Sequence, residues 1–250
     1  MRLDALVAYL DEYLRIREIA DSPDAMNGLQ VGNAGEIHRI ATAVDVCAAT
    51  IRAAAARPGT LLIVHHGLFW GGPAPLTGPA RDRVAGLLGG DVAVYGAHLP
   101  LDLHPDIGNN VLLARALGVS VRGPFGDAHG QAIGVWGELT LSRDALTAQL
   151  GELLGRPPRV LPFGPARTGR IGIVSGAAGG MIAQAHRAGL DTFITGEGSH
   201  HTYFEAEELG VNVFYGGHYA TETFGVRALG EQLHAKFGLP AEFIDHPTGL

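Results

Sequence analysis

The sequence predicts an α/β fold made of two similar, intertwined lobes, with mixed sheets and flanking helices. Three observations predict it. Short β-type runs alternate with helical periodicities, Gly-rich turns follow the ends of those runs, and the order of elements in the first half returns in the second.

Leu3, Leu6, Val7, Leu10 and Leu14 recur at helical spacing, so the chain opens with an amphipathic helix. The stretch 21–33 (DSPDAMNGLQVGN) is rich in turn residues. A β-type run at 40–44, an Ala-rich helix near 48–57 and a second apolar run at 61–64 lead to His65-His66-Gly67. After a Gly/Pro-rich loop (69–79), a helix near 81–89 and a strand at 92–95 precede GAHLPLD (96–102). Pro100 argues there for a rigid turn rather than regular helix. A helix near 107–117, stopped by Gly118, ends the first half.

VRGPFGDAHGQA (121–132) reads as a boundary, giving a first lobe at 1–125 and a second at 126–250, with an exchange of C-terminal segments allowed between them. The second lobe continues with a strand around 133–140, a helix from about 143 to 154 that Ser142 would cap, and a Pro/Gly/Arg-rich connection at 155–170. Next come a strand at 171–174, a helix near 179–188, the run DTFI at 191–194 and Gly196-Glu197-Gly198. A helix near 201–209, the strand 211–215, GGHYATE (216–222) and a long helix to about 237 complete it.

The repeat can be counted. Ile40 matches Ile171 and His66 matches Glu197 at an offset of 131 residues; Tyr95, His98 and Asp102 match Tyr215, His218 and Glu222 at an offset of 120. The two offsets differ across an intervening loop and helix, where length change is tolerated.

Composition narrows the function. The chain has 250 residues, 46% hydrophobic, with 37 Gly and 14 Pro, which describes a folded chain with many turns rather than a low-complexity one. A net charge of −7 argues against a nucleic-acid binder, which needs a basic surface. No segment approaches the ~20 apolar residues that cross a bilayer, and the opening residues do not read as a signal peptide, so a cytoplasmic location is expected. The single cysteine, Cys47, allows neither a disulfide framework nor a Cys-based zinc site. With 12 His and 25 acidic residues present, a metal site would be built from imidazole and carboxylate.

Three polar groups fall just past the C-terminal ends of predicted strands, the edge where open α/β sheets bind ligands: His65-His66, His98 with Asp102, and His218 with Glu222. Each has a bland reading, since adjacent histidines can be incidental and an acid in a first helical turn can serve only the helix dipole. Together, three imidazoles (His65, His66, His218) and two carboxylates (Asp102, Glu222) exceed what one tetrahedral ion with an open position requires. They suit two ions about 3.5–4 Å apart, with coordination left for water. Zn, Fe, Mn, Ni or Co would each accept this set.

The segments DSPDAMNGLQVGN, VHHGLFWGG, YGAHLPLDLHPDIGNN, ITGEGSHHT and GGHYATETFGVRAL together resemble a dinuclear-metal, toroidal-hexamer family. Its members are often described as GTP cyclohydrolase 1 type 2 homologues, or as relatives of a yeast coactivator-interacting factor. The resemblance runs from near residue 1 to the C-terminus. It implies a homohexameric ring of two-lobed subunits, two divalent ions per subunit between the lobes, and ligands at the same five residues. It further implies that His98 sits beside the metals as a catalytic, proton-handling group. Glu197, the repeat partner of His66, is expected to line the same pocket or touch substrate.

Other features stay open. His200 and His201 either add a ligand or substrate contact or face solvent at a helix start. SGAAGG (175–180) is either a phosphate cradle or a close helix–strand contact. Phe69 and Trp70 either stack a base or pack at a subunit contact. His38, His104, His129, His186, His234 and His246 are expected at the surface. The function expected is metal-dependent hydrolysis of a small anionic or nucleotide-like substrate; the alternative is a non-catalytic metal-binding or metal-delivery hexamer, or an interaction scaffold.

Overall fold

The computed structural model describes every residue of 1–250 except Pro73, in the Gly/Pro-rich loop, and His129, one of the histidines expected at the surface, which lie outside the described residues. The first stretch contains α1 (Leu3–Tyr13), β1 (Gly28–Val31), β2 (Arg39–Asp45), α2 (Ala48–Ala55), β3 (Thr60–His66), α3 (Gly78–Gly89), β4 (Val92–Gly96) and the single-turn α4 (Leu99–Asp102). There follow α5 (Asn109–Ala116), β5 (Ser120–Ala128), β6 (Gln131–Glu138), α6 (Arg143–Leu154), β7 (Arg159–Pro162) and β8 (Arg170–Ile173). The remainder is α7 (Ile182–Arg187) after a 3-10 turn, β9 (Thr192–Thr195), α8 (Thr202–Leu209), β10 (Asn212–Tyr215), α9 (His218–Thr221), α10 (Thr223–Phe237) and β11 (Ala241–Phe243).

The chain forms two compact units: Met1–His104 with Gly225–His246, and Pro105–Phe224 with Pro247–Leu250. In the first, one five-stranded sheet runs in the order β1-β4-β3-β2-β11. Strands β2, β3 and β4 are parallel and almost wholly buried, as expected of apolar runs covered on both faces. Leu62, Val64, Val94 and Leu87 form the centre of one core.

The second unit has a six-stranded sheet in the order β5-β6-β8-β9-β10-β7. Successive residues point to opposite faces. Thus Phe193 and Val213 enter one core, while their neighbours Ile194 and Phe214 enter another with Leu146 and Leu150 of α6. Phe193 is fully buried and meets Phe125 edge-on at 5.7 Å between centroids. Truncation of Phe193 to alanine should cost about 3–5 kcal/mol through lost burial and a residual cavity. Chemical denaturation of the two proteins side by side measures it; a loss within experimental error would place Phe193 outside the stabilising core.

The duplication is visible in strand pairing. Ile40 pairs with Leu61 across β2 and β3, and the residues 131 further on, Ile171 and Thr192, pair across β8 and β9. An antiparallel edge strand closes each repeat beyond its third parallel strand, β1 on β4 and β7 on β10. The third pairing slips by one residue: Val64 pairs with Gly96, but Thr195 with Tyr215.

Local signals mostly act as the sequence predicts. Ser142 caps α6 by accepting from the Ala145 N–H at 3.1 Å, and Gly155 ends that helix in the left-handed region. Pro100 is different. It sits in the first turn of α4, where no intrahelical donor is lost, so the expected rigid turn is a one-turn helix. Among the described residues no helix is long and apolar enough to cross a membrane.

Candidate metal centre

In the first unit, β3 ends in His65 and His66, and the turn after β4 carries His98 to the N-cap of α4. One ring nitrogen from each of the three lies within 4.8 Å of the others, a grouping able to hold a metal ion. Asp102, at the end of α4, is buried with its Oδ2 3.6 Å from His65 Nε2. The structure therefore brings His98 among the ligand-capable imidazoles, where the resemblance placed it only alongside them.

Each of these rings is held by its Nδ1. His65 Nδ1 faces the Ala97 carbonyl at 3.0 Å, and a carbonyl can only accept, so Nδ1 carries the proton. His66 Nδ1 meets Asp45 Oδ1 at 2.9 Å, and His98 Nδ1 meets Asp21 Oδ1 at 2.8 Å. Such contacts fix the tautomer and present Nε2 for ligation. Strand register supplies the first carboxylate, because Asp45 ends β2 directly beside His66 of β3.

Asp21 is tied more widely. Its Oδ2 accepts from the Leu99 N–H at 3.0 Å and from Asn27 Nδ2 at 2.8 Å, while Asn27 Oδ1 accepts from the His98 N–H. Burial pushes the Asp21 carboxyl up, but the His98 hydrogen bond and charge, with Asn27 and the Ser22 N–H, outweigh it and hold the group below its ordinary value. Asp21 and Asp45 were not singled out in the sequence as partners of these histidines. Replacing Asp45 by alanine should cut divalent-ion affinity about 10–100-fold by releasing the His66 ring. Competition against a chromophoric chelator tests this; unchanged affinity would rule out the anchoring role.

In the second unit, His218 opens α9 and Glu222 follows its end. Their four-residue spacing closes to 3.1 Å between His218 Nε2 and Glu222 Oε2, and His218 Nδ1 meets Glu197 Oε1 at 2.8 Å. The Glu222 hydrogen bond raises the His218 pKa, burial opposes it, and the charges of Glu222 and Glu197 add to the rise, bringing it to about 9. Gly176 makes room for this pair. It has φ +67, and a Cβ there would overlap Glu222 Oε1.

The SGAAGG loop has a structural rather than a phosphate-binding use for its amides. The N–H groups of Ser175, Gly176, Ala178 and Gly179 donate to Asn110 Oδ1, Thr221 Oγ1, Thr195 Oγ1 and the Glu197 carbonyl. A cradle needs those donors pointing at the ligand. His201 is exposed at the N-cap of α8 and makes no capping hydrogen bond, and His200 is exposed beside it. Trp70, 46% exposed, sets its ring edge-on to His66 and His98 at 5.5 and 4.9 Å. Of the histidines expected at the surface, His104 is half-buried against Tyr13, ring to ring at 4.5 Å.

Residues 1–248 match the protein family described as Duf34/NIF3 (NGG1p interacting factor 3). The chain belongs to that family. Curated relatives agree along the whole length. A Deinococcus radiodurans protein named GTP cyclohydrolase 1 type 2 homolog is 45% identical over 249 residues, covering 99% of this chain and 94% of its own. A Halobacterium salinarum protein of the same name is 44% identical over 256 residues, covering all of both chains. Among solved structures, a Thermus thermophilus protein shares 41% identity with a TM-score of 0.92 over the full length of both chains. The α/β architecture with two mixed sheets is thus the fold of the family, and the histidine clusters described above are this member's metal-capable groups.

Proposed function

We propose that this Duf34/NIF3 protein is a metal-dependent hydrolase that holds two divalent ions per subunit through His65, His66, Asp102, His218 and Glu222. One observation carries the reading: His65, His66 and His218, all at strand or helix ends, each have Nδ1 engaged, which leaves Nε2 as the nitrogen for an ion. Imidazole and carboxylate together fit Zn, Fe, Mn, Ni or Co. Bound divalent ions supply Lewis acidity and lower the pKa of water.

The side chains do the rest. His65, Asp102 and Glu222 are buried, whereas His66, His98 and His218 keep part of their surface in solvent. Openness of this kind favours a catalytic over a filled structural site, and hence the enzyme over a delivery or scaffold role. His98, oriented at Nδ1 by Asp21, takes and returns a proton at Nε2. Glu197 orients His218. The substrate class is a small anion, nucleotide-like by analogy with the relatives' name, and the working assembly is a homohexamer.

Metal analysis of protein purified without chelators, then a pooled nucleotide and phosphoester turnover screen of wild type against His66→Ala, tests the reading. Two ions per chain with metal-dependent turnover lost in the variant is the expected result. Metal content well below one equivalent after reconstitution overturns it. Light scattering should return a hexamer; a monomer would refute the ring.

A further inference from the structure

A cleft lies in the unit that carries His218, at the C-terminal ends of β9 and β10. It has a volume of about 500 Å³, within the range of small-molecule sites. Arg159, Tyr203, Phe204, Tyr215, His200 and Gly198 line it. Arg159 stands opposite Tyr215 in the β7–β10 register, which places both at the same end of the sheet. Among the described residues Arg159 makes no side-chain hydrogen bond or ion pair, and the lining contains no carboxylate.

The aromatic wall is braced. Phe163 meets Tyr203 at 5.1 Å, Tyr203 meets Phe204 at 5.5 Å, and Phe204 meets His200 at 5.6 Å, all edge-to-face. That geometry fixes the rings while Tyr203 and Phe204 remain 39% and 49% exposed, leaving flat apolar surface for a ring to cover. Behind them the Thr202 hydroxyl donates to the Ser199 carbonyl at 2.6 Å, so the Tyr215 hydroxyl donates to Thr202 and its oxygen can still accept. Glycine at 198 is required for this space, because a Cβ there would overlap Tyr215 Oη.

We infer that this cleft is a binding subsite for a planar heteroaromatic ring bearing an anionic group, with Arg159 taking the anion, Tyr203 and Phe204 the ring, and Tyr215 an N–H on the ring's edge. Gly198, on the cleft wall, follows directly on Glu197, the residue that holds His218, so the cleft and the metal-capable pair share one loop. The inference rests on the reading above in placing a small anion beside that pair. Its test is run on metal-stripped protein, so that failure of the cleft and failure of the metal chemistry are told apart.

Guanosine 5′-monophosphate, guanosine and ribose 5-phosphate serve as probes in equilibrium dialysis of the full chain. The monophosphate should bind saturably and more tightly than either fragment. Arg159→Gln should weaken it about 10–100-fold, the value of a charge-assisted contact, without changing guanosine binding. Arg159→Lys should recover part of the loss, and Gly198→Ala, which fills the cleft without touching Arg159, should abolish binding of all three. Absence of saturable binding, or indifference to Arg159→Gln, overturns the inference. So does a Phe204→Ala variant that changes the size of the assembly while binding the monophosphate normally, because that face would then be a contact between copies of the chain.

Discussion

Replacing Gly176 by alanine should remove the metal-binding ability of the His218–Glu222 pair while leaving the chain folded. Two costs separate cleanly at this position. The backbone cost is that of an L-residue at φ +67, about 1–2 kcal/mol. The steric cost falls on Glu222 Oε1, the far end of a side chain, which can swing away. Swinging away costs the fold the His218–Glu222 contact and is ruinous for the site, because the carboxylate leaves His218 Nε2. The Gly176 carbonyl also receives the N–H groups of Gly196 and Glu197, so the same residue positions the anchor of the His218 ring. Gly180 in the same loop has open space around its Cβ and is the control. Zinc stoichiometry and thermal unfolding should show Gly176→Ala losing ion binding at this pair together with the stability of the backbone position and of the His218–Glu222 contact, and Gly180→Ala losing neither. Full ion binding by Gly176→Ala would refute the cradle.

The second large effect is on pH. With His218 at about 9 in the metal-free chain, its ring is protonated at neutral pH and must shed that proton to ligate. Ion affinity at this residue should rise about tenfold per pH unit up to about 9 and then level off. For folding the sign is opposite. A pKa raised on folding stabilises fully below the unfolded value of 6.5, and that contribution is lost as pH rises through about 9. The metal-free chain should therefore become less stable, and the ion more tightly held, across the same interval. A ring-proton NMR titration of metal-free protein reads the group directly; an ordinary histidine pKa there would sink both expectations.

The buried parallel strands were legible because their apolar runs are covered on both faces: β2, β3, β4, β8, β9 and β10 fall where the pattern puts them. The strands it did not single out, β1, β5, β7 and β11, are all at sheet edges. An edge strand satisfies only one side of its backbone, tolerates Pro and bulges, and carries a weak burial pattern. Ser120–Ala128 holds Gly123, Pro124 and a register shift, and so reads as a boundary. The site follows the same logic. Histidines at strand ends announce themselves through spacing and repetition. Asp45 could have been found from strand register, since it ends the strand beside His66, but Asp21 meets His98 across 77 residues of chain with no local signal.

The Nδ1 anchors bear on what the protein becomes in a metal-poor cell. A zinc finger without its ion has nothing else to order its ligands and unfolds. Here the candidate ligand rings already have partners of their own, a backbone carbonyl for His65, Asp45 for His66 and Glu197 for His218, and Asp21 holds the neighbouring His98. Loss of an ion would then leave this chain folded, and a returning ion would have a proton to displace at His218 but no chain to refold.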